Sequence, residues 1–266
     1  MSVPMPLSQL EASSCGGLLF DIDDTLTTDE ALTAAAYDAL SRLRDAGWVC
    51  IAVTGRPAGW CDLIARLWPV AAVVGENGAF YMRKTTQGVQ TTWAGAQLNS
   101  AGLATHRSRL ADIAAQIIKA VPGCALASDQ AYRVCDLAID FCEDVPALPL
   151  EAAQHIAELM RAQGMQAKIS SIHVNGWFGA HDKLSTTLEL LHTHYGQSAE
   201  TALKSWVYVG DSPNDAPMFA AFTHSVGVAN VGDFGALMPT LPRYICNARS
   251  GVGFVALAER LLSARG

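Results

Sequence analysis

Charge is scarce in this chain, and lysine or arginine nowhere form a run. Only 16% of residues are charged, 18 basic against 25 acidic, for a formal net charge of −7. Such a balance offers no footprint for nucleic acid or an anionic membrane surface as partner. Long apolar runs are missing too, so none of its segments reads as a bilayer span, and Met1 to Ser14 lacks the basic-then-apolar order of a signal peptide. The seven cysteines (15, 50, 61, 124, 135, 142 and 246) make no Cys-x-x-Cys pair and no regular framework. They read as scattered thiols of a reducing compartment, and the expected location is cytoplasmic. No internal repeat or low-complexity tract appears. What the chain has in quantity is apolar bulk: half of its 266 residues are hydrophobic, enough for one large core or a core plus an insert.

The chemistry concentrates between Leu18 and Thr28. Leu18, Leu19 and Phe20 read as the end of a buried strand, with Asp21, Asp23 and Asp24 at its carboxyl end and Thr25 behind them. In open α/β sheets that edge is where ligands bind. Alternation puts Asp21 and Asp23 on one side of the extended backbone and Ile22 on the other. Two carboxylates so close repel each other unless a cation or a shared proton relieves the charge.

Around this stretch the chain alternates strands and helices. The first seventeen residues read as a loose leader. Asp29 to Ala46 has helical spacing closed by Gly47, and Trp48 to Val53 reads as a buried strand ending in Thr54-Gly55-Arg56-Pro57. A hydroxyl residue followed by glycine at a strand's carboxyl end can present its side chain and the adjacent amides to an anion. A helix (Trp60 to Leu67), a strand (Ala71 to Val74), the turn Glu76-Asn77-Gly78-Ala79 and a hairpin around Gly88 follow. From about Leu98 to Trp177 the rhythm breaks. A helix, a strand at Val134 to Phe141, a second helix and a strand pair form an α+β unit of their own. The βα order then resumes with a helix over His181 to Tyr195, a strand at Trp206 to Val209, short strands at Ser225 to Val228 and Tyr244 to Cys246, and a last helix at Phe254 to Leu262. The expected fold is a Rossmann-like, doubly wound parallel α/β sheet with an inserted α+β cap, the core being 1–97 and 178–266 and the cap 98–177. Trp60, Trp68 and Trp206 read as core. His192 and His194, two apart on a helix, point to different faces and make no metal pair.

Four stretches together resemble the haloacid dehalogenase superfamily of phosphotransferases. They are Asp21-Ile-Asp23-Asp-Thr25, Thr54 in Ile-Ala-Val-Thr-Gly-Arg, Lys183 in His-Asp-Lys, and Gly210-Asp211-Ser-Pro-Asn214-Asp215. The insert falls between the second and third, and its α-β-β-α-β-β content resembles the compact caps of sucrose-phosphate, trehalose-phosphate and mannosyl-phosphoglycerate phosphatases and of phosphomannomutase. Glu76-Asn77-Gly78-Ala79 is similar to a turn common in that branch.

The resemblance implies a Mg²⁺-dependent phosphomonoester hydrolase acting on a sugar phosphate or sugar-acid phosphate, such as sucrose phosphate or mannosyl-3-phosphoglycerate. Asp21 would be the nucleophile forming an aspartyl-phosphate, and Asp23 the general acid and base. Thr54, Gly55, Lys183 and Asn214 would hold the phosphoryl oxygens. Asp21, Asp211, Asp215 and the carbonyl of Asp23 would surround the cation, Asp215 through water or by orienting Lys183. Asp24 would cap the turn. In the cap, Arg133, His173, Asn175 and Trp177 are the candidates for reaching the sugar. Gly102, Gly176 and Gly179, in connecting strands near Gln97 to Gly102 and Asn175 to Ala180, would supply a hinge. A phosphohexomutase using the same intermediate is the alternative, and a non-catalytic phosphosugar-binding protein a further one, made improbable by Asp21 and Asp23 together. The expected partner is a small phosphorylated metabolite, and the expected assembly a monomer or homodimer.

Overall fold

The computed structural model describes residues 3–95 and 100–264. In chain order its strands are β1 (Met5–Pro6), β2 (Gly17–Phe20), β3 (Val49–Val53), β4 (Ala72–Gly75), β5 (Phe80–Thr85), β6 (Gly88–Trp93), β7 (Ala125–Leu126), β8 (Asp136–Asp140), β9 (Gln166–Ile169), β10 (His173–Trp177), β11 (Trp206–Gly210), β12 (His224–Gly227) and β13 (Tyr244–Ile245). The helices are α1 (Ala34–Asp45), α2 (Ala58–Leu67), α3 (Ser100–Ala120), α4 (Leu150–Ala162), α5 (Lys183–Tyr195), α6 (Ala199–Ser205), α7 (Ala216–Ala221) and α8 (Ser250–Ser263).

One sheet runs β1-β13-β12-β11-β2-β3-β4-β5-β6, and a second runs β7-β8-β10-β9. In the first, every pairing from β1 to β4 is parallel, and the β5–β6 hairpin extends it in antiparallel fashion. From β2 the chain winds outward through β3 and β4, then returns to the other flank of β2 with β11, β12 and β13. The order therefore reverses at β2, and a crevice opens outside the carboxyl ends of β2, β3 and β11 at such a switch point.

Alternation along these strands feeds two cores. Leu18, Phe20, Cys50, Ala52, Val207 and Val209 pack with residues of α1 and α8, while Leu19, Ile51, Val53 and Tyr208 pack with residues of α5 to α7. Strands buried on both faces carry continuous apolar runs, which is why β2, β3 and β11 were legible as strands. α1 starts at Thr33, whose hydroxyl accepts the Ala36 N–H, and buries Ala36, Ala39, Leu40 and Leu43 on one stripe. The helix begins later than the spacing from Asp29 predicts.

The insert has a core of its own, with Leu137, Ile139 and Val174 from its sheet against Ile113 and Ile117 of α3 and Ile156 and Met160 of α4. Its order, α3-β7-β8-α4-β9-β10, is the expected α-β-β-α-β-β, and its sheet is antiparallel throughout.

Three expectations are corrected. The first seventeen residues are no loose leader: β1 pairs with β13, Leu10, Ala12 and Cys15 are buried, and the Arg260 guanidinium donates to the Leu10 carbonyl. A few apolar side chains suffice to tie down a segment that composition marks as loop. Trp60 is 42% exposed rather than core, its ring meeting the Arg56 guanidinium at 4.3 Å. The hinge glycines are mostly spent on structure, with Gly102 inside α3 and Gly176 in the paired run of β10, so of the three only Gly179 has a positive φ, +117°. The predicted boundary at 97/98, and residues 97–99 of the first connection, lie outside the described residues.

Candidate active site

Asp21 follows β2, Thr54 follows β3 and Asp211 follows β11, so three neighbouring strands deliver their polar ends to one crevice. Lys183 arrives from the opposite side as the first residue of α5. Asp182 and Ser185 form a capping box there, fixing where the helix starts and so where Lys183 stands. The Lys183 ammonium, 3% exposed, donates to Asp21 Oδ1 and to Asp215 Oδ1, both at 2.8 Å. Burial disfavours its charge, but the two carboxylates outweigh burial and hold it protonated.

Asp215 is saturated. Besides Lys183, the Tyr208 hydroxyl donates to its Oδ1, and the amides of Asp211 and Ser212 donate to its Oδ2 at 2.9 and 3.2 Å. Gly210 is required for this fit, since a Cβ there would stand 2.3 Å from Asp215 Oδ2. Asp211 has lighter support, the Thr25 hydroxyl at 3.1 Å and the Asn230 amide at 3.2 Å.

Ligand atoms of Asp21, Asp211 and Asp215 lie within 4.8 Å of one another, and all three residues are buried. Burial first, then Asp215 and Asp23, push the Asp21 carboxyl up to about 8 against the opposing pull of Lys183. Burial first, then Asp215, Asp21 and Asp24, drive Asp211 up as well. Three buried carboxylates and one lysine leave negative charge uncompensated. Oxygen donors of that kind suit a hard divalent cation with retained waters.

Asp23 takes no part in that cluster through its carboxylate. The Arg56 Nε donates to both of its oxygens at 2.9 Å. Arg56 also reaches the insert, where it pairs with Asp129 at 3.3 Å and with Glu143. Thr54 Oγ1 accepts the Arg56 amide at 3.0 Å, and the hydroxyl keeps its proton to donate. The Asn214 side-chain oxygen accepts from the Ser212 hydroxyl at 2.9 Å. Asp24 has φ 53°, its amide donating to Thr27 and its carbonyl accepting from Asn230. The turn is thus closed on Thr27 by the Asp24 backbone.

A cleft of about 10 Å³ is lined by Asp21, Asp23, Gly55, Arg56, Arg133, Ser170, Ile172, His173, Asn175 and Asn214. Thr54, Lys183, Asp211 and Asp215 are not among its lining residues. The cap candidates divide. His173 and Asn175 face the cleft, though the Asn175 amide is also engaged with Asp136 at 3.0 Å. Arg133 lines it with four of its five N–H donors engaged, since Nε and Nη2 hold Asp129 at 3.0 Å while Nη1 holds Asp136 at 3.0 Å and the Gly55 carbonyl at 2.8 Å. Trp177 is absent from it. Its indole is buried in the insert, stacked on His181, and donates to the His181 carbonyl at 3.0 Å.

Sequence reasoning missed the residues that join insert to core. Glu76, fully buried, accepts the amides of Ala58, Val134, Cys135 and Asp136, and so anchors the start of β8 on the turn after β4. Arg56 stood in the recognised Thr-Gly-Arg run without a role. The spacing of Asp129, Arg133 and Asp136 (i, i+4 and i, i+3) was the available signal for that cluster. Glu143 and Asn230 carried no signal at all, being brought in only by tertiary contact.

No family model and no curated protein sequence matches this chain. Solved structures do. The C-terminal domain of a trehalose-6-phosphate phosphatase from C. albicans is similar at a TM-score of 0.71 and 14% identity, covering 98% of this chain and 99% of that one. A sucrose-phosphatase from Synechocystis, solved with sucrose and phosphate, matches at 0.59 and 16%, over 92% and 98%. A haloalkanoate-superfamily phosphatase from Bacteroides thetaiotaomicron matches at 0.60 and 19%, over 94% and 97%. The fold of this chain is that of the haloacid dehalogenase superfamily phosphatases, as the four motifs led one to expect.

Proposed function

We propose that this chain is a Mg²⁺-dependent phosphomonoester hydrolase working through an aspartyl-phosphate, with a small sugar phosphate or sugar-acid phosphate as substrate. One observation carries the reading: Asp21 and Asp23 face the same cleft, yet Asp21 is held by a lysine and Asp23 by an arginine that also touches the insert. Two carboxylates in such different settings are fitted to two different jobs. The sugar phosphatases of like fold support the choice of substrate class.

Lys183 holds one oxygen of Asp21, leaving the other to attack phosphorus in line. The new O–P bond forms as the ester O–P bond breaks, and Asp23 gives its proton to the departing sugar oxygen. A water then attacks the same phosphorus, Asp23 takes up its proton, and the Asp21–phosphorus bond opens to release phosphate. The Thr54 hydroxyl, the Lys183 ammonium and the Asn214 amide would bind phosphoryl oxygens as charge shifts onto them. Mg²⁺ between Asp21 and Asp211, with the Asp23 carbonyl, would supply a Lewis acid and neutralise the buried acids. Asp215, already engaged by four donors, would orient Lys183.

The insert, 98–177, would act as a cap that opens to admit substrate and closes to exclude water. A cleft of about 10 Å³ has no room for a sugar, so entry requires that opening. No helix among the described residues is long and apolar enough to cross a membrane. The cysteines, none in a disulfide among the described residues, suit the cytoplasm.

The test is Asp21→Asn. Phosphate release from a panel of phosphorylated metabolites with Mg²⁺ should vanish while the circular dichroism spectrum is kept. Turnover near the wild-type rate would refute the covalent route. A requirement for a bisphosphate activator, with no free phosphate, would favour the mutase.

A further inference from the structure

The insert touches the core at both ends of one strand pair, and the two ends are built differently. β8 and β10 run antiparallel, with Asp140 opposite His173 at one end and Asp136 opposite Trp177 at the other. At the Asp140 end, Ile172 and His173 line the cleft, and Glu143 pairs with the long, rotatable side chain of Arg56. At the Asp136 end, where β10 leaves for α5, a core carboxylate holds the insert by its backbone. Glu76 Oε1 accepts the amides of Ala58 and Val134 at 3.0 and 2.9 Å, and Oε2 those of Cys135 and Asp136 at 2.6 and 3.3 Å.

That carboxylate is preset. Glu76 is fully buried at φ +43°, a conformation a glutamate keeps only where its surroundings over-determine it. Its own amide donates to the Arg56 carbonyl and the Asn77 amide to the Thr54 carbonyl, both at 3.1 Å. The anchor is thus fixed to the loop that carries Thr54 and Gly55, and hydrogen bonds from fixed amides to a carboxylate are the stronger class. Consecutive insert residues also face opposite ways here. Arg133 lines the cleft, whereas Val134 and Cys135 line a separate cavity of about 870 Å³, with Gly95 and Phe178 of the two connections among its walls. Glu76 grips the chain between these two spaces, so that one widens as the other narrows.

We propose that Glu76 is a positioning residue on which the insert rocks. The Val134–Asp136 anchor stays closed throughout turnover, while the far ends of β8 and β10 lift from the cleft. This inference rests on the reading of the insert as a cap that opens, and it adds the point about which the cap turns. A fixed anchor returns the far ends to the same place over Asp21 and Asp23 at each closure, which two connecting segments alone would not ensure.

The test staples each end in turn. A Cβ on Gly59 of α2 would stand 3.0 Å from the Tyr132 Cβ, so Gly59→Cys with Tyr132→Cys places a disulfide beside the anchor. At the far end Ser171 lies against the Asp24 carboxyl, and Asp24→Cys with Ser171→Cys places a disulfide there. Hydrolysis of p-nitrophenyl phosphate with Mg²⁺ is followed for each protein oxidised and again after reduction by dithiothreitol, with the bridge checked by mass spectrometry. The anchor staple should leave turnover as in its reduced form, and the far staple should abolish turnover until it is reduced. Glu76→Gln turns an amide nitrogen toward two N–H donors. Added to the anchor-staple protein, it should cost about 10²-fold in the reduced state through misplacement of the insert. Oxidation should recover most of that loss, which a general defect in folding would not allow. Turnover lost on oxidising the anchor staple and regained on reduction overturns the proposal, because the anchor would then have to open. Full turnover with the far staple closed, or a Glu76→Gln protein as active as its parent, overturns it too, and all three leave the phosphatase reading standing. Failure of wild type to hydrolyse p-nitrophenyl phosphate with Mg²⁺ overturns that reading and the proposal with it.

Discussion

Asp23 and Glu143 share an arginine but answer to different pressures. Asp23 sits on the core beside Asp21, and in the proposed role of acid its value would scale with how badly the leaving oxygen needs a proton. Replacing Asp23 by Asn should cost roughly 10²–10⁴-fold on a sugar phosphate. On p-nitrophenyl phosphate, whose phenolate leaves unaided, the loss should be clearly smaller; equal losses would remove Asp23 from the role of acid. Glu143 offers a pH test. Burial alone would raise its carboxyl, but the His173 and Arg56 contacts prevail and bring it down to about 2 from an ordinary value of 4.5. A carboxyl lowered by folding stabilises the fold above its unfolded value, and that contribution fades as pH falls through the folded one. The stability gap between wild type and Glu143→Gln, read from urea unfolding, should thus be constant above about pH 5 and close below pH 4.5. A gap that widens on acidification would contradict the pairing.

At the level of elements, the turn after β4 and the start of α5 form one joint. Gly78 has φ +102°, and a Cβ on it would stand 2.1 Å from the Asp182 carbonyl oxygen. Its own carbonyl accepts the Thr186 hydroxyl at 2.6 Å. The helix that carries Lys183 is therefore seated on this glycine. Gly78→Ala should lower stability by more than about 1 kcal/mol, since alanine must be held at positive φ against a backbone contact. It should also depress turnover of every substrate alike, because displacing the start of α5 moves Lys183 off Asp21. Thermal melting together with kcat on two substrates checks both; an unchanged melting temperature would mean the turn adapts freely.

Across the whole molecule, two clusters bind its parts: the acids around Lys183 and the arginine ties between core and insert. Chelation with EDTA should abolish phosphate release, and Mg²⁺ should restore it better than Ca²⁺, whose longer bonds and higher coordination would misplace Asp21. Mg²⁺ should also raise the melting temperature, because a cation that binds the folded state offsets the repulsion among Asp21, Asp211 and Asp215. Full activity in EDTA would refute the metal site. Arg133 belongs to the second cluster, tying Asp129 and Asp136 to the Gly55 carbonyl. Arg133→Ala should therefore lower the rate on sugar phosphates and on p-nitrophenyl phosphate in proportion, with a fall in stability. A loss confined to sugar phosphates would return Arg133 to substrate recognition.

What this sequence determined by itself was everything that local order can encode. Continuous apolar runs announced β2, β3 and β11, because a parallel strand buried on both faces needs them. The polar residues directly after those runs had to emerge at the carboxyl edge, so Asp21, Thr54 and Asp211 were legible as one site before their distances were known. Lys183 was reached only through the resemblance of His-Asp-Lys to the third family motif. Tertiary structure decided the rest, because a side chain's partner across the chain leaves no periodic trace. Arg56 could have pointed to solvent; it lies between Asp23 and Glu143, 33 and 87 residues away, only because the insert folds back over β3. Arg133 and Trp177 had the chemistry of sugar ligands, yet contacts within four residues engaged the first with two aspartates and stacked the second on His181. Residue type limits what a side chain can do, and burial with its neighbours selects which of those things it does.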